Sequence, residues 1–167
     1  MHPLEKFEYC PLCGSHHFEA NGATSKKCEN CGFEYFMNPS AANVAIIKNA
    51  KGEILVERRK QEPAKGTLDL PGGFTQIGET SEEGVCREVM EETGLTITNL
   101  KYFGSQPWPY PSGLMIGFTA DYVDGEIHLQ KEELSRGKWF SKDNLPILPE
   151  KLSIARRLID AWLEGEK

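Results

Sequence analysis

The run Gly72-Gly73-Phe74-Thr75-Gln76-Ile77-Gly78-Glu79-Thr80-Ser81-Glu82-Glu83-Gly84-Val85-Cys86-Arg87-Glu88-Val89-Met90-Glu91-Glu92-Thr93-Gly94-Leu95 passes from a glycine turn into an acidic helix and out again. Thr80 and Glu83 have capping-box spacing, so a helix is expected over Ser81–Thr93, with Gly94 stopping it. At roughly 100° per residue, Glu88, Glu91 and Glu92 fall within about 100° of one another. Val85, Cys86, Val89 and Met90 occupy the neighbouring arc and are expected to face a core. Carboxylates at i, i+3 and i+4 repel one another and destabilise an isolated helix. A hard cation relieves that repulsion, and Mg²⁺ takes oxygen ligands while keeping waters for substrate phosphates. Taken alone, the glutamates read equally well as a solvated acidic face. The two glycines leave the backbone free to turn sharply and approach a ligand.

Strands are expected on both sides of this run. Residues 42–48 and 53–58, separated by Asn49-Ala50-Lys51-Gly52, read as a hairpin. Residues 67–70 form a third strand closed by Pro71. Further strands are expected at 97–104, 114–123, 126–129 and 138–140. The last element is a helix over 151–164. Leu152, Ala155, Leu158, Ile159, Trp162 and Leu163 recur on its apolar face, and Arg156, Arg157, Asp160 and Glu164 on the other. The sum is a mixed α/β domain carrying helices on a central sheet.

Cys10-Pro11-Leu12-Cys13 and Cys28-Glu29-Asn30-Cys31 form two CxxC pairs. Tetrahedral zinc takes four soft ligands, and a CxxC turn lets both thiolates of a knuckle face one ion. Two disulfides are the alternative, and they need an oxidising compartment. Met1-His2-Pro3-Leu4-Glu5-Lys6 has neither the basic start nor the apolar stretch of a secretory signal, which favours zinc and a cytoplasmic location. His16 and His17 are expected to be loop residues, and Cys86 a small core residue. A ribbon over residues 1–36 buries little core, so structural Zn²⁺ on Cys10, Cys13, Cys28 and Cys31 is expected to hold it folded. Residues 37–167 then form the second domain.

The chain of 167 residues carries 19 basic and 25 acidic side chains, a net charge of −6. That balance argues against bulk, sequence-independent nucleic-acid binding, which relies on Lys and Arg neutralising phosphates. An anionic substrate stays open, because metal ions held by carboxylates reverse the local sign. No apolar run is long enough to span a bilayer, so no membrane partner is expected.

Gly73, Glu79, Arg87, Glu88, Glu91, Glu92, Gly94 and Leu95, with apolar Val89 between them, match the Nudix box. The chain therefore resembles a Nudix hydrolase. The resemblance implies an α/β/α sandwich with a mixed sheet, preceded here by the small zinc ribbon. It also implies hydrolysis of a nucleoside diphosphate linked to another group, with Mg²⁺ or Mn²⁺. By the same resemblance Glu88, Glu91 and Glu92 are the principal metal ligands, one of them serving as general base. The Gly73 carbonyl is a backbone ligand, Arg87 orients the carboxylates, and Glu79 supports the loop.

Ser105-Gln106-Pro107-Trp108-Pro109-Tyr110-Pro111-Ser112 alternates prolines with aromatics, which stiffens a loop and presents flat faces to a base or ring. A half-buried Trp108 in a structural loop is the plainer reading. The segment resembles the SQPWPF motif of the NADH pyrophosphatases, with Tyr110 in place of Phe, and those enzymes also carry a four-cysteine ribbon. What this implies is cleavage of NADH or NAD to AMP and nicotinamide mononucleotide, and action on RNA bearing a 5′ NAD cap. Phe36, Phe74, Ser105, Gln106, Trp108 and Tyr110 then meet the substrate, Ala155 lines the base pocket, and Glu133 adds a carboxylate to the metal site. Long members of that family carry a domain before the ribbon that contributes to a homodimer. Here nine residues precede Cys10, so a short form is expected, with dimerisation open. Another substrate such as ADP-ribose is the alternative within the family. A non-catalytic nucleotide sensor is the alternative outside it, although the box is intact.

Overall fold

The apolar run ending at Ile47 is buried on both sides, and the rest of the catalytic-sized unit is layered around it. The computed structural model describes residues 3–59, 66–108, 113–128 and 134–165. The chain forms two compact units, Met1–Ser40 with Pro107–Leu114, and Ala41–Gln106 with Met115–Lys167.

In the smaller unit, β1 (Phe18–Ala20), β2 (Ser25–Cys28) and β3 (Glu34–Phe36) form an antiparallel sheet. Its core is small: Leu4, Cys10, Phe18 and Cys28, with Phe33 and Met37 packed against them. The two CxxC turns have matching backbones. Gly14 N–H donates to the Cys10 carbonyl and Gly32 N–H to the Cys28 carbonyl, each at 2.9 Å.

In a second sheet, β4 (Ser40–Lys48) and β5 (Ile54–Arg59) make the expected hairpin. The sheet continues through β6 (Leu68–Asp69), β7 (Thr96–Trp108) and β8 (Gly113–Asp124) in the order β6-β5-β4-β8-β7, and β9 (Leu134–Phe140) pairs with β5. Successive side chains of a strand alternate between faces. Val44 and Ile46 therefore join one core and Ala45 and Ile47 another. The first core is covered by α2 (Ile154–Glu164) through Ile154, Ala155, Leu158, Ile159 and Trp162, the second by α1 (Ser81–Thr93) through Val85 and Val89. A sheet between two helical layers is the α/β/α sandwich that the resemblance implied. No helix among the described residues is long and apolar enough to cross a membrane.

Four expectations change. Helix α2 begins at Ile154, because Ser153 caps it by accepting the Arg156 N–H at 3.1 Å; Leu152 lies before the cap and is 80% exposed. Residues 126–128 are not a strand: the His128 N–H binds the Thr93 carbonyl at the end of α1, at 2.8 Å, and so leaves the sheet. The fourth residue of that expected strand, Leu129, lies outside the described residues. Strand β7 runs on to Trp108, so Ser105 to Trp108 are strand and not loop; Pro107 is tolerated because β7 ends the sheet order and its missing N–H breaks no central ladder. Cys86 and Met90 are exposed, although both were expected to face a core.

Candidate functional site

The glycine turn between β6 and α1 is laid against β4. Ala45 N–H donates to the Pro71 carbonyl (2.9 Å), Asn43 N–H to the Gly73 carbonyl (2.7 Å) and Thr75 N–H to the Ala41 carbonyl (3.0 Å). The Asn43 side-chain amide adds a bond to Thr75 Oγ1 at 2.8 Å. Gly72 has φ of 156°, and a Cβ there would collide with the Asn43 backbone. At Gly73 a Cβ would run into the Glu88 carboxylate. Gly72 therefore demands glycine because of the β4 backbone, whereas a side chain at Gly73 would first displace the flexible end of Glu88. The Gly73 carbonyl keeps a second lone pair beyond the one used by Asn43.

Helix α1 is registered against this turn by its caps. Thr80 Oγ1 accepts the Glu83 N–H at 3.2 Å while Glu83 Oε2 accepts the Thr80 N–H at 2.8 Å, and Gly94, left-handed at φ 73°, donates to the Met90 carbonyl. The helix buries a stripe through Val85, Val89, Glu92 and Thr93. At about 100° per residue that stripe is rotated toward the carboxylates and away from Cys86 and Met90. Glu92 is 8% exposed and accepts the Gly72 N–H at 2.8 Å, Glu88 is 18% exposed by its side chain and Glu91 53%. Exposure rises with angle away from the sheet, so the solvated acidic face suits Glu91 alone.

Arg87 holds the carboxylates from the outer side. Its Nε and Nη2 grip Glu79 at 2.6 and 3.1 Å, its Nη1 reaches Glu88 at 2.8 Å and Glu91 at 3.0 Å, and Nη2 also donates to the Phe74 carbonyl at 3.0 Å. Hydrogen bonds from Arg87, then from the Gln76 backbone, hold the Glu79 carboxyl below its usual range. Glu79, then Glu88, hold the guanidinium above its own. A planar fork satisfies three carboxylates and a carbonyl at once, which no Lys can do. Glu88, Glu91 and Glu92 line one face of α1, but their carboxylates stand apart. Among the described residues only the cysteines bring three or more His, Cys, Asp or Glu ligand atoms within 4.8 Å of one another.

The sequence reading missed three residues. Asn43 pins the turn, and its buried Oδ1 has no hydrogen-bond partner among the described residues. Glu57 on β5 is 2% exposed, with Oε1 likewise unpartnered, and Asp69 on β6 is its register partner. Desolvation, then the charges of Glu92 and Asp69, push the Glu57 carboxyl well above its usual range. One signal was present: in Ile54-Leu55-Val56-Glu57 the alternation puts Glu57 on the same face as Leu55.

The other candidates divide. Phe74 is exposed and forms a β-bridge with Ala42, and Phe36 and Trp108 are exposed on their own strands. Ser105 is hydrogen-bonded to Tyr102, whose hydroxyl is 3.3 Å away. Gln106 donates to the Leu152 carbonyl (2.6 Å) and accepts from Arg157 Nη1 (3.2 Å), which ties β7 to the start of α2. Ala155 is buried in the α2 core. Tyr110 and Glu133 lie outside the described residues.

In the ribbon all four cysteines are free, with Cys10 and Cys31 sulfurs 3.7 Å apart and Cys13 and Cys28 sulfurs 3.7 Å apart, far beyond the ~2.05 Å of a disulfide. The Ser15 backbone, then the Asn30 amide, pull the Cys13 thiol down to about 6. Cys31 accepts a lowering hydrogen bond from the Phe33 backbone, yet desolvation and the neighbouring sulfurs push it up to about 12. One thiolate forms readily and the next is opposed by it, so the full tetrathiolate calls for a cation. Four sulfurs in one sphere fit zinc in both softness and number.

A family model of the NUDIX domain matches residues 37–163. The chain belongs to that family. The NAD-capped RNA hydrolase NudC of Haemophilus influenzae (strain PittGG) is 42% identical over 167 residues, covering 98% of this chain and 62% of the relative. Its namesake in Mannheimia succiniciproducens is 37% identical, covering 98% of this chain and 63% of the relative. The chain thus spans a little over three-fifths of the length of those relatives. Among solved structures, a NUDIX hydrolase from Nitrosomonas europaea superposes with a TM-score of 0.76 at 20% identity, covering 95% of this chain and 92% of that one, a likeness of fold. A MutT protein from Methanosarcina mazei Go1 gives 0.61 at 28%, covering 80% and 99%.

Gly72→Ala is expected to destabilise the fold by about 1–3 kcal/mol, because the methyl group displaces backbone of β4. A urea midpoint unchanged from wild type would show that the turn moves freely off the strand.

Proposed function

We propose that the chain hydrolyses the diphosphate of NADH or NAD, giving AMP and nicotinamide mononucleotide, and that it also acts on RNA bearing a 5′ NAD cap. The observation that carries this reading is the set of carboxylates that Arg87 and the Gly72 N–H hold beside a turn made for close approach. The similarity to relatives named NAD-capped RNA hydrolases supports the substrate class.

Glu88, Glu91, Glu92 and the Gly73 carbonyl, with Glu133, are the residues that would hold Mg²⁺ or Mn²⁺. Such ions offset the charge of the diphosphate and lower the pKa of bound water. One of the three box glutamates accepts the proton from the attacking water, whose oxygen bonds to phosphorus as the bridging P–O bond breaks. Arg87 is a positioning residue: it fixes carboxylate directions without touching substrate. Phe36, Phe74, Trp108 and Tyr110 offer faces to the base and nicotinamide rings, Ser105 and Gln106 support them, and Ala155 leaves room for the base. We take residues 1–36 as a ribbon braced by Zn²⁺ on Cys10, Cys13, Cys28 and Cys31, and residues 37–167 as the hydrolase domain. Thiol ligation fits a cytoplasmic location. With a net charge of −6, capped RNA is held by its cap rather than by its backbone, and a homodimer stays open as the assembly. One observation favours a second substrate, ADP-ribose: Ser105 and Gln106 already bond within the chain, as residues of a purely structural strand end would.

Product analysis with NADH, NAD and ADP-ribose in parallel decides between the substrates. AMP plus nicotinamide mononucleotide is expected fastest from NADH, and a clear preference for ADP-ribose would overturn that assignment. In the same assay Glu92→Gln, which keeps an acceptor for the Gly72 N–H and so the fold, is expected to lose about 10²-fold or more in turnover. Trp108→Ala is expected to slow NADH cleavage about tenfold more than that of a nucleoside diphosphate lacking a second ring, the scale of one aromatic stack at ~1–3 kcal/mol; equal losses would make the segment structural. For the ribbon, elemental analysis should find one zinc per chain, and Cys28→Ser should collapse the amide dispersion of the β1–β3 sheet. A zinc-free chain with that dispersion intact would refute the metal assignment.

A further inference from the structure

The sheet face beneath α1 holds a buried acid that the proposed chemistry leaves unused. Glu57 lies on β5 two residues beyond Leu55, and Leu55 packs in the core that Val85 and Val89 of α1 close. The alternation of a strand therefore directs Glu57 toward α1 as well. On one side its register partner is Asp69, at the end of β6 and next to the turn that binds Glu92 through the Gly72 N–H. On the other side its partner is Gly137, which has no side chain to cover it. Glu57 Oε1 has no hydrogen-bond partner among the described residues, although the side chain is all but fully buried.

Buried polar atoms are almost always satisfied, and an orphaned carboxyl oxygen at the Asp69 register position, under the helix that carries Glu92, calls for a partner that a cation can supply. Mg²⁺ and Mn²⁺ are held by one or two carboxylates plus waters, so a pair of acids from opposite elements suffices. We propose that Glu57 is an oxygen ligand for the divalent cation bound by Glu92, approaching it from the sheet while Glu88 and Glu91 approach from the helix. The inference rests on the metal-dependent reading of the box. It makes the site a clamp between β5 and α1, with Glu92 shared between the two sides and Asp69 adding negative charge behind Glu57.

The test is Mn²⁺ binding to the full-length chain without substrate, by calorimetry and by the rise in Tm that Mn²⁺ produces. Glu57→Gln is expected to weaken Mn²⁺ binding at least tenfold and to shrink that rise, while its metal-free Tm stays equal to or above that of wild type. Glu57→Asp, which keeps the charge on a shorter stem, is expected to lose about threefold and carries the test if the Gln variant does not fold. A folded Gln or Asp variant with wild-type Mn²⁺ affinity would overturn the proposal. Glu92→Gln separates the two levels of inference. If it too binds Mn²⁺ like wild type, the metal reading of the helix fails. If it loses binding while the Glu57 variants keep it, only the role of Glu57 fails.

Discussion

Like-charge repulsion within one turn of α1 is the constraint on which the rest of the site depends. Glu88, Glu91 and Glu92 share a helix face with only the low-propensity option of standing apart. Three kinds of donor keep the face intact: the Arg87 guanidinium, the Gly72 backbone N–H, and through Glu79 the Gln76 backbone N–H. Each has a structural prerequisite. Arg87 reaches Glu79 because the helix starts directly after it, at the Thr80 cap, and Gly72 reaches Glu92 because β4 holds the turn. Any change that moves the turn or unwinds the first helical turn therefore frees negative charge at the centre of the site.

The same electrostatic problem recurs in the ribbon. Four sulfurs lie within 4.8 Å of one another, those of Cys10 and Cys28 in the core and those of Cys13 and Cys31 exposed, and ionising one makes the next harder to ionise. In both places like-charge repulsion opposes the joint ionisation of neighbouring ligand groups. The two differ in rigidity. The sulfurs are already gathered by matched backbone turns, whereas the carboxylates are spread along a helix face and drawn aside by Arg87. A gathered set suits a permanent structural ion, and a spread set suits ions that arrive with a phosphate substrate.

The sandwich gives the carboxylate face its rigidity. β4 is buried on both sides, α1 and α2 pack on opposite faces of it, and the glycine turn is hydrogen-bonded along its edge. Positioning by packed elements rather than by a free loop is what lets a backbone N–H and a guanidinium share the task of orienting charge. It also explains why Gly72 is sterically required: the turn approaches the β4 backbone too closely for any side chain.

Local chemistry was legible in the sequence. The bounds of α1, the β4–β5 hairpin, the CxxC knuckles and the shared helix face of Glu88, Glu91 and Glu92 follow from caps, turns and spacings a few residues long, where short-range hydrogen bonds decide the outcome, while Glu79 and Arg87 joined them through the resemblance to the Nudix box. The rotation of α1 about its axis was not legible. Apolarity alone turned Cys86 and Met90 inward, whereas the Gly72 N–H and the sheet turned Glu92 inward instead. Nor was the fate of residues 126–128, whose strand pattern yields to the Thr93 carbonyl, or the strand character of Ser105 to Trp108, which needs an edge that Pro107 can occupy. Glu57 was missed in the strand pattern, and only the register of β5 with β6 beneath α1 made it a buried acid. The sequence by itself determined which groups share a helix face or a knuckle, because those rules act along the chain. Only the tertiary structure decided which way they face, because burial and electrostatic pairing are settled by neighbours that are distant in sequence.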